Sequence, residues 1–405
     1  GGSRGITWPP KRLKLPASVR FRFPIDARRF TESGGVPVVR IRDLESQSPS
    51  TLTDETGPDW ARVDDGDVLV GMDGEFRATV WRGQPSWLNQ RVCAIDPRPG
   101  FDARYLAYAV QPPLDAVQAV KFSTTVKHLS ADDVLNLPIA ASSEADQRSI
   151  ADFLDVETAR IDAMIRARSR QVSLFAERAA TVRDTACSSI VPRERLGYGL
   201  LAIEQGWSPA CETRLPEPHE WGVLKAGATN YGAFHESESK ALPADLRPRM
   251  QLEVRVGDVL MSRANTRELA GSAAYVEECR PRLMISDKLY RVVPNRAKLE
   301  PRYLALVLQS AAAREQIQSE AVGSSGSMQN ISQQVVRDLR LPIPPLEQQA
   351  RIVAQCERVT THARQAVATI RRQVGLLHER RQALFTAAVT GQFQVPSAGV
   401  ASKAA

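Results

Sequence analysis

Glu238-Ser239-Lys240 has the Glu-x-Lys spacing with which many metal-dependent nucleases hold a cation beside an attacking water. It lacks a convincing upstream Pro-Asp partner and falls in a polar stretch, which argues against a cutting centre. No GxxxxGK[ST] phosphate loop occurs, so nothing marks an ATP-driven motor. Three Pro-Pro pairs (Pro9-Pro10, Pro112-Pro113, Pro344-Pro345) lack the preceding Asn or Asp and the following aromatic with which amino-methyltransferases grip a base. Gly323-Ser324-Ser325-Gly326 follows a helical stretch rather than a strand, unlike a cofactor-binding glycine loop. The five histidines form no pair at metal-ligand spacing, and Cys93, Cys187, Cys211, Cys279 and Cys356 contain no CxxC pair. This inventory fits a non-catalytic protein that holds and recognises, with no metal or cofactor of its own.

Such a protein depends on the elements that place its side chains, and the chain is written twice. Arg170-Gln171-Val172-Ser173-Leu174 with Glu177-Arg178 recurs as Arg372-Gln373-Val374-Gly375-Leu376 with Glu379-Arg380, a shift of 202 positions. The same shift carries Leu129-Ser130 onto Ile331-Ser332, Gln147 onto Gln349 and Ile150 onto Ile352. Upstream the register drifts: Gly66-Asp67-Val68-Leu69 matches Gly257-Asp258-Val259-Leu260 at 191, and Arg104-Tyr105-Leu106 matches Arg302-Tyr303-Leu304 at 198. Each half is therefore a variable globular segment followed by one of fixed length.

The fixed segments predict long helices with coiled-coil seams. Ile150, Leu154, Ile161, Ile165, Val172, Phe175 and Val182 step by threes and fours in the first. Ile352, Val359, Val367, Ile370, Val374, Leu377 and Leu384 do so in the second, with Arg381 as a polar exception. Two such seams in one chain most economically bury each other. Residues 37–41, 67–70, 90–95, 258–261 and 288–293 read as strands, and 105–109 and 303–319 as helices closing each globular segment. The expected fold is α+β: two mixed α/β domains and two long helices pairing as an antiparallel coiled coil. The expected boundaries are 1–146, 147–188 for the central helix, 189–348, 349–391 for the final helix, and a flexible tail over 392–405.

The 405 residues carry 53 Lys and Arg against 46 Asp and Glu, a net charge of +7. Residues 1–50 hold 10 basic and 4 acidic groups, and residues 351–405 hold 8 and 2, so the excess sits at the ends. No run approaches the ~20 apolar residues of a membrane span, and no basic-then-apolar leader is seen. A soluble cytoplasmic protein without a membrane partner is expected.

The wording of the repeats resembles a family. Ser149-Ile150-Ala151-Asp152-Phe153-Leu154-Asp155 with Glu157-Thr158-Ala159-Arg160-Ile161-Asp162 looks like the central helix of the DNA specificity (S) subunits of type I restriction-modification systems. Leu341-Pro342-Ile343-Pro344-Pro345-Leu346-Glu347-Gln348-Gln349 is similar to the lead-in of that family's second helix, and Ala388-Val389-Thr390-Gly391-Gln392 to its C-terminal signature. Gly71-Met72-Asp73-Gly74-Glu75-Phe76 with Leu88-Asn89-Gln90-Arg91-Val92-Cys93 resembles one recognition-domain type, and Gly257 to Arg263 with Ile285 to Lys288 another. At the positions of Pro342, Pro344 and Pro345 the first copy has Ala140, Ser142 and Ser143, a departure that predicts a less rigid lead-in.

The resemblance implies two target recognition domains, each reading half of an asymmetric split site in double-stranded DNA, with the family's two long conserved helices as the ruler between them. It implies assembly with two DNA adenine methyltransferase (M) subunits that carry S-adenosylmethionine, and leaves restriction/translocase (R) subunits open. Arg, Asn and Gln make the informative bidentate contacts to base edges, while cations hold phosphates. Candidates in the first domain are Asp73, Glu75, Arg77, Arg82, Gln84, Lys121, Thr124, Thr125, Lys127 and His128. Those in the second are Ser262, Arg263, Asn265, Thr266, Arg267, Ser327, Gln329 and Asn330. Arg20, Arg22, Arg28, Arg29, Arg40 and Arg42 fit phosphate contact, and the basic final helix suits DNA or an acidic partner. Two other classes compete: a repeat-built coiled-coil scaffold that binds protein only, and a self-sufficient nuclease.

Overall fold

The computed structural model describes residues 8–21, 23–121, 128–190, 193–321, 328–392 and 395. Arg22, Thr124, Thr125, Lys127, Ser327 and almost all of the expected tail lie outside the described residues. The chain divides into two compact units, residues 1–169 with 371–405 and residues 170–370, so each long helix contributes to both.

In the first unit a four-stranded antiparallel sheet runs in the order Ala17–Arg20, Val92–Pro97, Val68–Gly71, Ala78–Val80. Val68–Gly71 and the stretch 92–95 of its central strands are apolar and buried because both faces are covered. Val68, Val70, Cys93 and Ile95 meet the helix Ala103–Lys121 in one core. Leu69, Val92 and Ala94, one residue out of phase, join a second core under a five-stranded sheet. That sheet is ordered Phe30–Thr31, Thr51–Thr53, Val36–Val39, Ser86–Leu88, Arg62–Val63.

The second unit repeats the plan: Leu200–Gln205, Leu289–Pro294, Val259–Ser262 and Ala273–Tyr275 form its four-stranded antiparallel sheet. A smaller sheet of Ser239–Ala241, Gly222–Leu224 and Leu283–Met284 covers the other face. The duplicated Gly-Asp is a turn that starts a central strand in each sheet. Gly66 has φ +96° and Gly257 φ +97°, a backbone that favours glycine. The aspartate closes the turn: Asp67 accepts from the Asp64 N–H at 3.1 Å, and Asp258 from the Arg255 N–H at 2.9 Å.

The helix Ala103–Lys121 runs well past the expected 105–109, through Pro112 and Pro113. Tertiary hydrogen bonds outweigh the local cost of proline: Gln111 and Gln118 accept from the Ala78 and Phe76 N–H groups at 2.8 and 2.7 Å, satisfying a sheet edge. The expected stretch 303–319 divides into Pro301–Leu308 and Ala311–Glu320, because Ser310 caps a new helix through the Ala313 N–H.

The long helices are Glu144–Ser188 and Leu346–Val389. Both begin before the expected 147 and 349. Ser143 accepts from the Asp146 N–H at 3.2 Å and donates to its carboxylate at 2.7 Å, a cap that stands where the second copy has Pro345. Among the seam residues Ile150, Leu154, Ile161, Ile352 and Ile370 are buried and the rest half-buried, while Leu174 and Leu376 are exposed. Within the first unit Ile150 and Leu154 share a core with Phe385, Ala388 and Val389, and Asp162 lies 3.6 Å from Arg381. Within the second, Cys187 packs with Ile352 and Cys356, and Phe175 meets His362 edge-on at 6.5 Å. Numbers rise on one helix as they fall on the other, so the segments within each unit are antiparallel. Among the described residues no helix is long and apolar enough to cross a membrane.

Candidate nucleic-acid interface

Each unit brings two distant stretches of candidate residues together at the end of a central strand. In the first unit the Met72 N–H donates to the Arg91 carbonyl at 2.9 Å, the Leu129 N–H donates to the Met72 carbonyl at 2.8 Å, and Asp73 bridges His128. In the second the Arg263 N–H donates to the Lys288 carbonyl at 2.7 Å, and the Ile331 N–H donates to the Arg263 carbonyl at 3.0 Å. Ala264–Asn265 then pairs with Gln329–Asn330. The backbone frame is the same, and the side chains on it differ.

In the first unit the Asp73 carboxylate takes hydrogen bonds from Arg91 and from His128 Nδ1. It is a quarter exposed, while Arg91 is more than half exposed. Asp73 thus holds a guanidinium whose remaining donors suit the O6/N7 edge of guanine, and an imidazole with Nε2 left as a second polar atom. Lys121 is drawn to Asp133 at 2.8 Å and to the His128 carbonyl at 3.1 Å, so it braces the same loop. Glu75 is exposed beside this cluster in sequence. Arg91, quoted with Asp73 in the family-like wording, was not among the contact candidates because it stands 18 positions from it in the chain. Only the strand pairing joins them.

In the second unit Ser262 is fully buried and cannot reach a ligand, a correction to the expectation placed on it. Its hydroxyl packs under the loop, 3.4 Å from Asn265 Nδ2. Asn265 also donates to Asn230 at 3.0 Å and accepts from the Thr266 N–H at 2.9 Å, so its amide mainly fixes the loop. Arg263 is half-buried, and Thr266, Arg267 and Asn330 are exposed, with Gln329 between. Among the described residues no carboxylate forms an ion pair with Arg263 or Arg267, and the Arg263 guanidinium donates to the Asp287 carbonyl at 3.4 Å. Lys288, also not among the contact candidates, is held 3.8 Å from the Asp287 carboxylate.

The N-terminal arginines are not one patch. Arg20 is bound into the protein: it meets Asp96 at 2.8 Å and Asp67 at 3.0 Å, and donates to the Trp60 and Arg62 carbonyls. Burial opposes its charge, yet the two carboxylates hold its pKa above the ordinary value. Its counterpart is Arg291, with Asp258 at 3.0 Å and Glu204 at 2.7 Å. Both lock the Gly-Asp turn to the sheet. Arg28 and Arg29 are exposed and paired with Asp26 and Asp54, at 2.7 and 2.9 Å. Arg42 donates to Ser50 and Thr51, both at 3.0 Å. Arg40 is exposed, and no carboxylate among the described residues pairs with its side chain.

Arg77 lies 3.4 Å from Glu45, Arg82 lies 3.4 Å from Asp65, and both line a cleft of about 390 Å³ against the long helices within the first unit. Gln84 is exposed, and its carbonyl accepts from the Trp81 indole at 3.1 Å. Glu238 sits 3.5 Å from Lys225, and among the described residues no group of His, Cys, Asp and Glu is arranged to hold a metal.

A family model described as the type I restriction modification DNA specificity domain matches residues 20–172 and 254–370. The type I restriction enzyme EcoBI specificity subunit of Escherichia coli is 24% identical over 418 residues, covering 95% of this chain and 86% of that protein. The EcoEI specificity subunit, also from Escherichia coli, is 34% identical over 165 residues, 40% of this chain and 28% of that protein. A chain solved in work on complex assembly and conformational transition of the type I R-M system shares the fold, with a TM-score of 0.67 at 17% identity over 97% of this chain and 100% of that one.

Proposed function

The chain belongs to the type I restriction-modification DNA specificity family, and from that membership we propose that it selects an asymmetric split site in double-stranded DNA, one half per recognition domain. Specificity subunits are non-catalytic, so methyl transfer falls to two DNA adenine methyltransferase subunits carrying S-adenosylmethionine; restriction/translocase subunits stay open. The paired helices serve as the spacer between the half-sites, which favour separations near one turn of DNA, about 34 Å.

One observation carries the two-part, asymmetric reading. The same backbone frame occurs in both units, but it presents Asp73, Arg91 and His128 in one and Arg263, Lys288 and Gln329 in the other. Equal frames with unequal donors and acceptors suit two different base sequences, since each base pair shows its own pattern in the major groove. Arg40 and Arg267 suit phosphates.

The test is protection of DNA by the chain bound to its methyltransferase. Two short protected blocks of unlike sequence, separated by a tolerant gap, are expected. A protein-only scaffold would protect nothing. Methyl transfer or metal-dependent cutting by the isolated chain would overturn the proposal.

A further inference from the structure

Gln147 and Gln349 are fully buried amides at equivalent points, one in the first turn of each long helix. Gln147 donates to the Ser142 and Gly100 carbonyls at 3.0 and 3.3 Å and accepts from the Asp102 N–H at 2.9 Å. Gln349 donates to the Pro344 and Lys298 carbonyls, both at 2.7 Å, and accepts from the Glu300 N–H at 2.9 Å. Each amide thus ties the lead-in of a long helix to the turn that opens its domain's own helix, and both of its N–H donors are used.

Two further bonds brace each joint. The buried Tyr105 hydroxyl donates to the Ala140 carbonyl at 2.8 Å, and Tyr303 to Pro342 at 3.1 Å. Arg104 meets Asp155 and Asp152, both at 2.8 Å, and Arg302 meets Glu357 at 2.6 Å, so each domain also grips its long helix farther along. The lead-ins themselves differ: Ala140, Ser142 and Ser143 in one copy, Pro342, Pro344 and Pro345 in the other. The hydrogen-bond pattern is nevertheless the same. What is kept is the geometry of the joint, and not the stiffness of the chain entering it.

We propose that Gln147 and Gln349 are positioning residues for site selection: each fixes the angle at which its recognition domain leaves its long helix, and so the spacer length accepted between the half-sites. This rests on the split-site reading above. Domains of roughly 150 residues have a radius of gyration of about 15 Å, so a tilt of only ~13° moves loops at that radius by ~3.4 Å, one base-pair step. A loose joint therefore blurs the spacer while leaving each domain's own loops intact.

The experiment uses the full chain assembled with its methyltransferase subunits and DNAs holding the native half-sites with the spacer at its native length, one base pair shorter and one longer. Gln349→Met and Gln147→Met keep side-chain length and lose the hydrogen bonds. The preference for the native spacer is expected to fall about ten-fold, while discrimination against base changes within each half-site stays within about two-fold. A lowered Tm with unchanged spacer preference would mean a merely structural role and overturn the proposal.

Arg302 and Glu357 are partly exposed and guard against a folding failure. Arg302→Glu or Glu357→Arg alone should relax the spacer preference, and the two together should restore it in part, because a carboxylate at 302 would also face Glu277, 3.7 Å from the Arg302 guanidinium. Wild-type behaviour from both single variants also overturns the proposal. If the unaltered complex selects no split site at all, the functional reading fails, and the joint's role with it. Unchanged variants of a complex that does select sink the joint alone.

Discussion

The two recognition units share a frame and differ in what they mount on it. Where the first unit has the buried Met72, held between the backbone of Arg91 and Leu129, the second has the half-buried Arg263 between Lys288 and Ile331. The next step along the first loop is an aspartate that clamps Arg91 and His128; along the second it is Ala264 in a short strand pair. The frame also tolerates rewiring. Arg20 stands on an outer strand and Arg291 on the central neighbour it pairs with, yet each holds the Gly-Asp turn aspartate at 3.0 Å. An ion pair can move to an adjacent strand without changing the turn it locks.

The largest effect that would break this comparison is in the frame. Arg291→Met strands Asp258 and Glu204, and should cost about 3 kcal/mol, the low end for a broken buried pair because Glu204 keeps some solvent. Arg20→Met, at a more exposed site, should cost less; urea unfolding of both variants checks the order. If Arg20 were a DNA contact instead, its substitution would weaken binding without lowering stability.

Next come the reading loops. Asp73→Ala should lower discrimination at one half-site by ~1–3 kcal/mol, the scale of a bidentate base contact, and leave the other half-site untouched. Arg263→Ala should do the reverse. Measured against DNAs altered in one half at a time, a loss spread over both halves would erase the division between the units. Tyr303→Phe leaves the Pro342 carbonyl without its buried donor, and Tyr105→Phe does the same to Ala140, so each should lower stability by ~1 kcal/mol. Unequal losses would show that the two joints are not alike.

The smallest effect is in salt dependence. Replacing a cation that holds a phosphate reduces the slope of log affinity against log salt by about 0.9. Arg267→Ala and Arg40→Ala should each do so, and Arg28→Ala, whose charge is already met by Asp26, should do so less.

Much of the frame was legible in sequence because it is built from local, periodic signals. The seam of Ile150, Leu154 and Ile161 and its partner from Ile352 to Leu384 announce helices, and the 202-residue register announces that they are copies. Sequence also flagged Gln147 and Gln349 as equivalent, though not the three hydrogen bonds each makes. Ion pairs were hidden, since Arg20 meets Asp67 and Asp96 only after strands far apart in the chain align. Arg20 read as a free cation for that reason, and Arg91 and Lys288, though part of the family-like wording, were not among the contact candidates. The helix read at 105–109 continues through Pro112 and Pro113 to Lys121, because Gln111 and Gln118 serve a sheet edge that local propensity cannot see.

The most direct test of the central claim is the methylated motif in genomic DNA of cells expressing this chain with its methyltransferase, compared with cells that lack the chain. A two-part motif with unlike halves and a fixed gap, absent when the chain is absent, is the predicted result. Methylation of the same motif in both cells, or of a single continuous sequence, would contradict it.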